Sequence, residues 1–140
     1  MTAAGYYFAR KLVRETGVPV GLLESDLSGT PIEIWMTPDS FRGVPGLEKW
    51  AQKVASYDPM HHSETELDAG TAYLAMFAPI ERFPVAGAIW YQGENNENDG
   101  LAYETKLVAL VDGWRKARKD AFPFYYVQLA SFRAATDDPA

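Results

Sequence analysis

The chain has 140 residues, 47% hydrophobic and 14% aromatic, which is enough apolar material for one core of ordinary size. Thirteen basic against nineteen acidic residues leave a net charge of -6, a balance that argues against nucleic acid and other polyanionic partners. The lack of cysteine excludes disulfides, thiolate metal sites and a cysteine nucleophile within these residues, and no apolar run reaches the roughly 20 residues a membrane span requires. The basic-then-apolar pattern of a secretory signal is not found at the amino terminus, and the compartment is left open by the missing cysteines.

The first periodic segment runs from Ala3 to Thr16, with Ala4, Phe8 and Leu12 on one side and Arg10, Lys11, Arg14 and Glu15 on the other. It predicts a helix with one buried face, capped by Thr2 and closed by Gly17 in the left-handed conformation. Val18 to Leu23 is almost wholly apolar and reads as a buried parallel strand, with Pro19 near its start. It releases a polar, turn-forming loop from Glu24 to Pro31. Ile32 to Met36 alternates weakly, Pro38 and Asp39 mark a turn, and a short helix is expected around Leu47 to Ser56.

Both histidines, His61 and His62, lie in an unperiodic segment between Ser56 and Asp68. Paired helical metal ligands are spaced three or four residues apart so that they share a face, so these neighbours read as part of a solvated connection. A second helix is expected from Thr71 to Arg82 with Leu74, Phe77 and Ala78 inward, kinked or ended by Pro79. Ala86 to Tyr91 reads as a buried strand that delivers Gln92-Gly93-Glu94-Asn95-Asn96 at its end. Asn98, Asp99 and Gly100 supply a turn and an N-cap for a helix with Leu107, Leu110, Val111 and Trp114 as its apolar stripe. Its basic end, Arg115 to Lys119, complements the helix dipole and reads as solvated. Phe124 to Ala130 is expected as a third buried strand, followed by a frayed polar tail from Ala134.

Alternating helices and strands predict an α/β fold with a parallel sheet covered on both faces. Ligands in such sheets sit beyond the carboxyl ends of the strands, here Glu24 to Thr30, Gln92 to Asn96 and Ser131-Phe132. A glycine-bearing loop beside an amide-rich turn is the equipment of an oxyanion hole. Amide-rich turns also serve simply to satisfy loop backbone groups, and the residues alone leave both readings open.

Three blocks, GVPVGLLESDLSGTPIEIWMTP, AGAIWYQGENN and FPFYYVQLASF, resemble in this order the sialate O-acetylesterase group of SGNH-type carbohydrate esterases. The resemblance implies a three-layer SGNH/flavodoxin-like parallel sheet with helices on both faces, of which about three strands fall within this chain. It implies hydrolysis of acetyl esters on sugars by a serine nucleophile, with no cofactor and no metal. By position, Gly29 matches a loop glycine whose N–H donates to the oxyanion, Gln92 or Asn96 supplies a side-chain amide, and Glu94 orients the loop together with Thr30. Ser25, Thr30 and Trp35 fall where an acetylated sugar would be contacted.

The family's nucleophile block and its Asp/His block do not occur in these residues, so residues 1–140 are expected to be the central part of one esterase domain. The isolated chain is accordingly expected to be inactive and to self-associate, and its parent to be secreted or periplasmic. Ser25, Ser28 and Ser131 lie at strand ends, but none sits in a Gly-x-Ser-x-Gly elbow. Leu27, Ser28, Glu24 and Asn95 depart from the family's usual Trp, Gly, Asn and small hydroxyl residue. The alternative implied by the same scaffold is a non-catalytic sugar-binding or structural module with Trp35, Trp50, Trp90 and Tyr91 as stacking rings, Trp90 being assigned first to the core.

Overall fold

The structure is a computed structural model that describes residues 2–56 and 68–130. Helix α1 spans Ala3–Thr16, with the bounds its sequence predicts. Thr2 Oγ1 accepts from the Gly5 N–H at 3.2 Å, and Gly17, at φ 69°, closes the helix by donating to the Val13 carbonyl at 2.9 Å. The expected buried face is not formed, however. Only Ala9 is buried, while Tyr6, Tyr7, Phe8, Leu12 and Val13 remain exposed.

Val18 to Leu23 forms no strand, which corrects the first expected sheet element. Apolar composition supplies a surface to bury, but a strand also needs a hydrogen-bonded neighbour. Among the described residues the sheet contains only two strands, and Val18, Val20, Leu22 and Leu23 are exposed.

The core begins at Ile32–Trp35, a 3-10 turn in place of the weak alternation, with all four residues buried. A second 3-10 turn, Pro38–Phe41, is capped by Thr37, whose Oγ1 accepts from the Ser40 N–H at 3.1 Å. Helix α2, Glu48–Ala55, matches the short helix expected there, and Leu47 just before it is buried. The expected helix from Thr71 to Arg82 is instead a π-helical turn, Tyr73–Phe77, running into a 3-10 turn at Ala78–Ile80 that contains Pro79. The wider turn changes which side chain points inward, so Tyr73 is buried and Leu74 exposed.

Strand β1, Ala88–Trp90, pairs in parallel with β2, Phe124–Tyr126, in the register Ala88↔Phe124, Ile89↔Tyr125, Trp90↔Tyr126. Both are shorter than expected and, contrary to expectation, largely unburied, with Ile89, Tyr125 and Tyr126 exposed because no further strand flanks the pair among the described residues. Their pairing is parallel as the helix-strand alternation predicts. The crossover between them is helix α3, Ala102–Arg118, whose buried stripe includes Ala109, Leu110 and Trp114. α3 packs on the two 3-10 turns of residues 32–41. Gly113 makes this close approach possible, because a Cβ there would lie 1.9 Å from Ser40 Oγ. That contact explains a glycine inside a helix despite its intrinsic cost of about 1 kcal/mol.

An aromatic cluster joins these elements. The Phe77 and Trp114 rings stack at 3.9 Å, and Trp114 also meets Trp90 and Phe124 edge-on, each at 5.9 Å. On β2, Phe124 meets Trp114 of α3, whereas the next residue, Tyr125, meets Phe8 of α1 at 6.0 Å.

The basic end of α3 is only partly the solvated patch its composition predicts. Arg118 is nearly buried and donates to the carbonyls of Glu81 and Phe83, and Arg115 donates to the Phe122 carbonyl at 3.1 Å. These cations tie the approach to both strands to the end of the helix, while Lys116 and Lys119 face solvent.

Candidate active site

β1 ends at Trp90, and the chain turns over its carboxyl end, the edge of a parallel sheet where ligands collect. Gly93 has φ 156° and ψ -15°, and it introduces a 3-10 turn at Glu94–Asn96. Against this turn lies the loop that ends in Gly29 and Thr30, with Gly29 at φ 69°. The two segments are far apart in sequence and are held together by side-chain amides.

Asn96 is buried and fully used. Its Oδ1 accepts from the Ile32 N–H at 2.8 Å and from Gln92 Nε2 at 2.9 Å. Its Nδ2 donates to Glu33 Oε2 at 3.1 Å and to Asp99 Oδ2 at 2.8 Å. A backbone N–H can only donate and a carboxylate oxygen can only accept, so the orientation of this amide is fixed by its partners. Gln92 is fixed in the same way. Nε2 donates to the Thr30 carbonyl at 2.8 Å as well as to Asn96, and Oε1 faces the Tyr103 hydroxyl at 2.9 Å. Asn95 adds a third link, donating from Nδ2 to the Gly29 carbonyl.

Behind Asn96 lies a buried charge cluster. The Lys106 ammonium donates to Glu33 Oε1 at 2.5 Å and Asp99 Oδ2 at 2.6 Å. Glu33 is 2% exposed and Lys106 7%, so their pair is internal, and the Asp99 side chain, 23% exposed, joins it from the solvent side. Two carboxylates and one ammonium leave one negative charge, which the Asn96 amide helps to satisfy by donating to both acids. Burial pulls the Lys106 pKa down, but the hydrogen bonds to Asp99 and Glu33 and their charges outweigh it and raise the group above its ordinary range. Lys106 therefore stays charged at neutral pH.

Two further side chains stiffen the loops. Thr30 Oγ1 donates to the Leu27 carbonyl at 2.7 Å and accepts from the Trp35 indole at 3.1 Å. The Tyr103 hydroxyl accepts from the Trp90 indole at 3.0 Å and offers its proton to Gln92, whose backbone and side-chain oxygens both lie 2.9 Å away. Burial pushes the Tyr103 phenol up; the Trp90 hydrogen bond opposes this, and the charges of Glu94, Asp99 and Glu33 add to the rise. Tyr103 is a neutral donor.

Of the predicted site residues, Gly29, Thr30, Gln92 and Asn96 come together. Both N–H groups of Gln92 and both of Asn96 are taken by protein acceptors, so the amide donors expected to face an oxyanion instead fasten the loops. The backbone N–H of Gly29 has no acceptor among the described residues, and Gly29 is exposed. Glu94 is exposed at the rim and makes no side-chain hydrogen bond among the described residues; Asn95 and Asn96 hold the loop in its place. Ser25 is half-buried, and its Oγ has no hydrogen-bond partner among the described residues.

Trp35 is buried with its indole on Thr30, and its ring meets Trp90 at 6.3 Å, so it supports the site from behind and is not placed to touch a sugar. Asp99 does not cap α3, whose N-cap is Leu101 without a side-chain bond; its carboxylate is committed to Lys106 and Asn96. His61, His62, Ser131 and Phe132 lie outside the described residues.

Glu33, Asp99, Tyr103 and Lys106 were not singled out by the sequence as site residues. A signal exists for Lys106, which lies one helical turn before Leu110 on the buried stripe of α3, where a cation needs internal acids. Two surface concavities, of about 370 and 270 Å3, are lined by residues around Arg118 and around Val111, and neither includes a predicted site residue. The candidate site is an open edge.

The glycine loop, the amide-bearing turn and a parallel β-α-β unit define an α/β chain with its candidate site at one edge of the sheet. A family model for a carbohydrate esterase, sialic acid-specific acetylesterase, matches residues 2–139, and the chain belongs to this family. It is 33% identical over 146 residues to the human sialate O-acetylesterase and 30% identical over 162 residues to the rat protein, covering 94% of this chain in each case. It spans only 26% and 30% of the length of those relatives. The crystal structure of a carbohydrate acetylesterase from Xanthomonas citri superimposes with a TM-score of 0.72 at 34% identity, over 92% of this chain and 26% of that one.

Proposed function

We propose that this chain is the central part of a carbohydrate O-acetylesterase domain and supplies the oxyanion side of its active site. The observation that carries the reading is the double amide clamp. Gln92 and Asn96 bind the end of β1 to the Gly29-Thr30 loop, at the sheet edge, where the Gly29 N–H has no acceptor among the described residues. A preorganised donor of this kind, aimed at developing negative charge, is worth about 3 to 4 kcal/mol of barrier when removed.

In the intact parent a serine from outside residues 1–140 attacks the acetyl carbonyl, and a histidine held by an aspartate accepts its proton. Charge gathers on the carbonyl oxygen near Gly29. The sugar hydroxyl leaves with the proton returned by the histidine, and water then releases acetate from the serine by the same route. Gln92, Asn96 and Thr30 act by holding the Gly29 loop. Glu94 and Ser25 border the open edge, where an acetylated sugar enters.

The layered SGNH arrangement is supported by β2. Successive strand residues face opposite sides, and Phe124 touches α3 while Tyr125 touches α1, so a helix lies on each face. A purely sugar-binding module is less well supported, because Trp35 and Trp90, two of its four candidate rings, are buried. The 140-residue chain alone is expected to be inactive. Its exposed Val18, Leu22, Leu23 and Tyr7 offer apolar surface for self-association.

Hydrolysis of p-nitrophenyl acetate by this chain and by its longer parent tests the proposal. Turnover is expected only from the parent. A folded parent that is silent on this ester and on O-acetylated sugars would sink the esterase reading.

A further inference from the structure

We propose that Lys106 is a positioning residue that sets the spacing between the Gly29-Thr30 loop and the Gln92-Asn96 turn. Its importance for turnover rests on the oxyanion reading above; its effect on loop position does not. Lys106 reaches from α3 to two acids, one from each segment. Glu33 follows the Gly29-Thr30 loop, Asp99 follows the Gln92-Asn96 turn, and the ammonium donates to both.

The same two carboxylates accept from Asn96 Nδ2, whose Oδ1 in turn holds the Ile32 N–H and Gln92. Lys106 therefore fixes the acids that fix the amide that joins the loops. Three residues earlier on α3, Tyr103 grips Gln92 from the other side. One helix thus holds both halves of the open edge.

The physical reason lies in what happens without the ammonium. Two carboxylates left without the cation they share repel, Glu33 from a buried position and Asp99 from a partly exposed one, so the segments that carry them separate. That movement alters the acceptors of Asn96 Nδ2 and the register of Ile32 against Asn96. Burial of the core does not need this cluster. Leu110 and Trp114 supply the apolar contacts of α3, and buried ion clusters are in general poor sources of net stability. What the cluster supplies is a fixed separation. In a site where a displacement of about 1 Å can cost on the order of a hundredfold in rate, that separation is functional.

Amide hydrogen exchange followed by NMR on the full 140-residue chain tests this, with Lys106→Met and the milder Asp99→Asn. Asp99→Asn keeps both the ammonium and the side-chain volume, so it carries the test if Lys106→Met does not fold. The Ile32 backbone N–H, which donates to Asn96, reports the loop junction, and the Trp114 indole N–H, which donates to the Trp35 carbonyl at 2.9 Å, reports the core. In each folded variant the Ile32 N–H is expected to exchange on the order of tenfold faster relative to the Trp114 indole, with displaced Asn96 Nδ2 resonances. Unchanged Ile32 and Asn96 signals, or Ile32 exchange rising only in step with Trp114, overturn the proposal. The readout is loop position, so failure of the esterase reading would leave its outcome intact.

Discussion

Lys106→Met is expected to lower the stability of this chain by about 3 to 5 kcal/mol at neutral pH, the usual result of removing one partner from a buried ion cluster. The methionine can fill the space left by the lysine stem, so the loss is electrostatic in origin. Glu33 and Asp99, which share the ammonium and the Asn96 amide, are left facing one another, Glu33 buried and Asp99 partly exposed. Urea denaturation followed by tryptophan fluorescence measures the difference. A loss below about 1 kcal/mol would place the cluster in the class of solvated pairs.

The same variant has a pH signature. The folded-state pKa of Lys106 is raised above its unfolded value, so its contribution is fully present below the unfolded pKa of about 10.4 and is lost as pH rises through the folded value. The stability gap between the wild type and Lys106→Met should hold from neutral pH to about 10 and narrow above it. Tyr73 is also raised, by burial first and then by its hydrogen bond to Glu81 and the charge there. Tyr73 is common to both proteins, so its contribution cancels in the difference.

The second large effect is expected at Trp114. Trp114→Ala should cost about 3 to 5 kcal/mol, a substantial part of the stability of an ordinary domain. The ring stacks on Phe77, meets Trp90 and Phe124 edge-on, and sends its indole N–H to the Trp35 carbonyl. It is the point where α3, the π-helical turn and both strands meet. Trp114→Phe keeps much of the stacking and loses the hydrogen bond, so it should fall between the wild type and the alanine variant in the same urea titration. Equal losses for the two variants would move the weight from packing to the hydrogen bond.

Features with a local cause were legible in the sequence. Thr2 and Gly17 bound α1 because a side-chain cap and a left-handed glycine act within a few residues. The stripe of α3 and the parallel pairing of β1 and β2 followed from periodicity and from a helical crossover. Features that depend on distant partners were not legible. Val18 to Leu23 has the composition of a strand, but composition supplies no ladder. The π-helical turn at Tyr73–Phe77 shifts the inward face by an amount that a 3.6-residue period does not anticipate.

The candidate site divides along the same line. That Gln92, Asn96, Gly29 and Thr30 meet at one edge was legible, because they follow strand-like and turn-like segments. The role of the amides was inverted, from donors to a ligand to clamps between loops. That difference lies in Glu33 and Asp99, which take both Asn96 hydrogens and come from two separate segments of the chain. Lys106 carries the clearest lesson. A cation on the buried stripe of a helix signals internal acids, and the acids it pairs with hold the loops that form the edge.

The central claim is that these residues hold the oxyanion while the nucleophile lies elsewhere in the parent. Reaction with a fluorophosphonate, which bonds covalently to an activated serine, followed by peptide mass analysis, tests it most directly. The parent is expected to be labelled on one serine outside residues 1–140, and the 140-residue chain to stay unlabelled. Labelling of Ser25, Ser28 or any other serine of this chain would contradict the account.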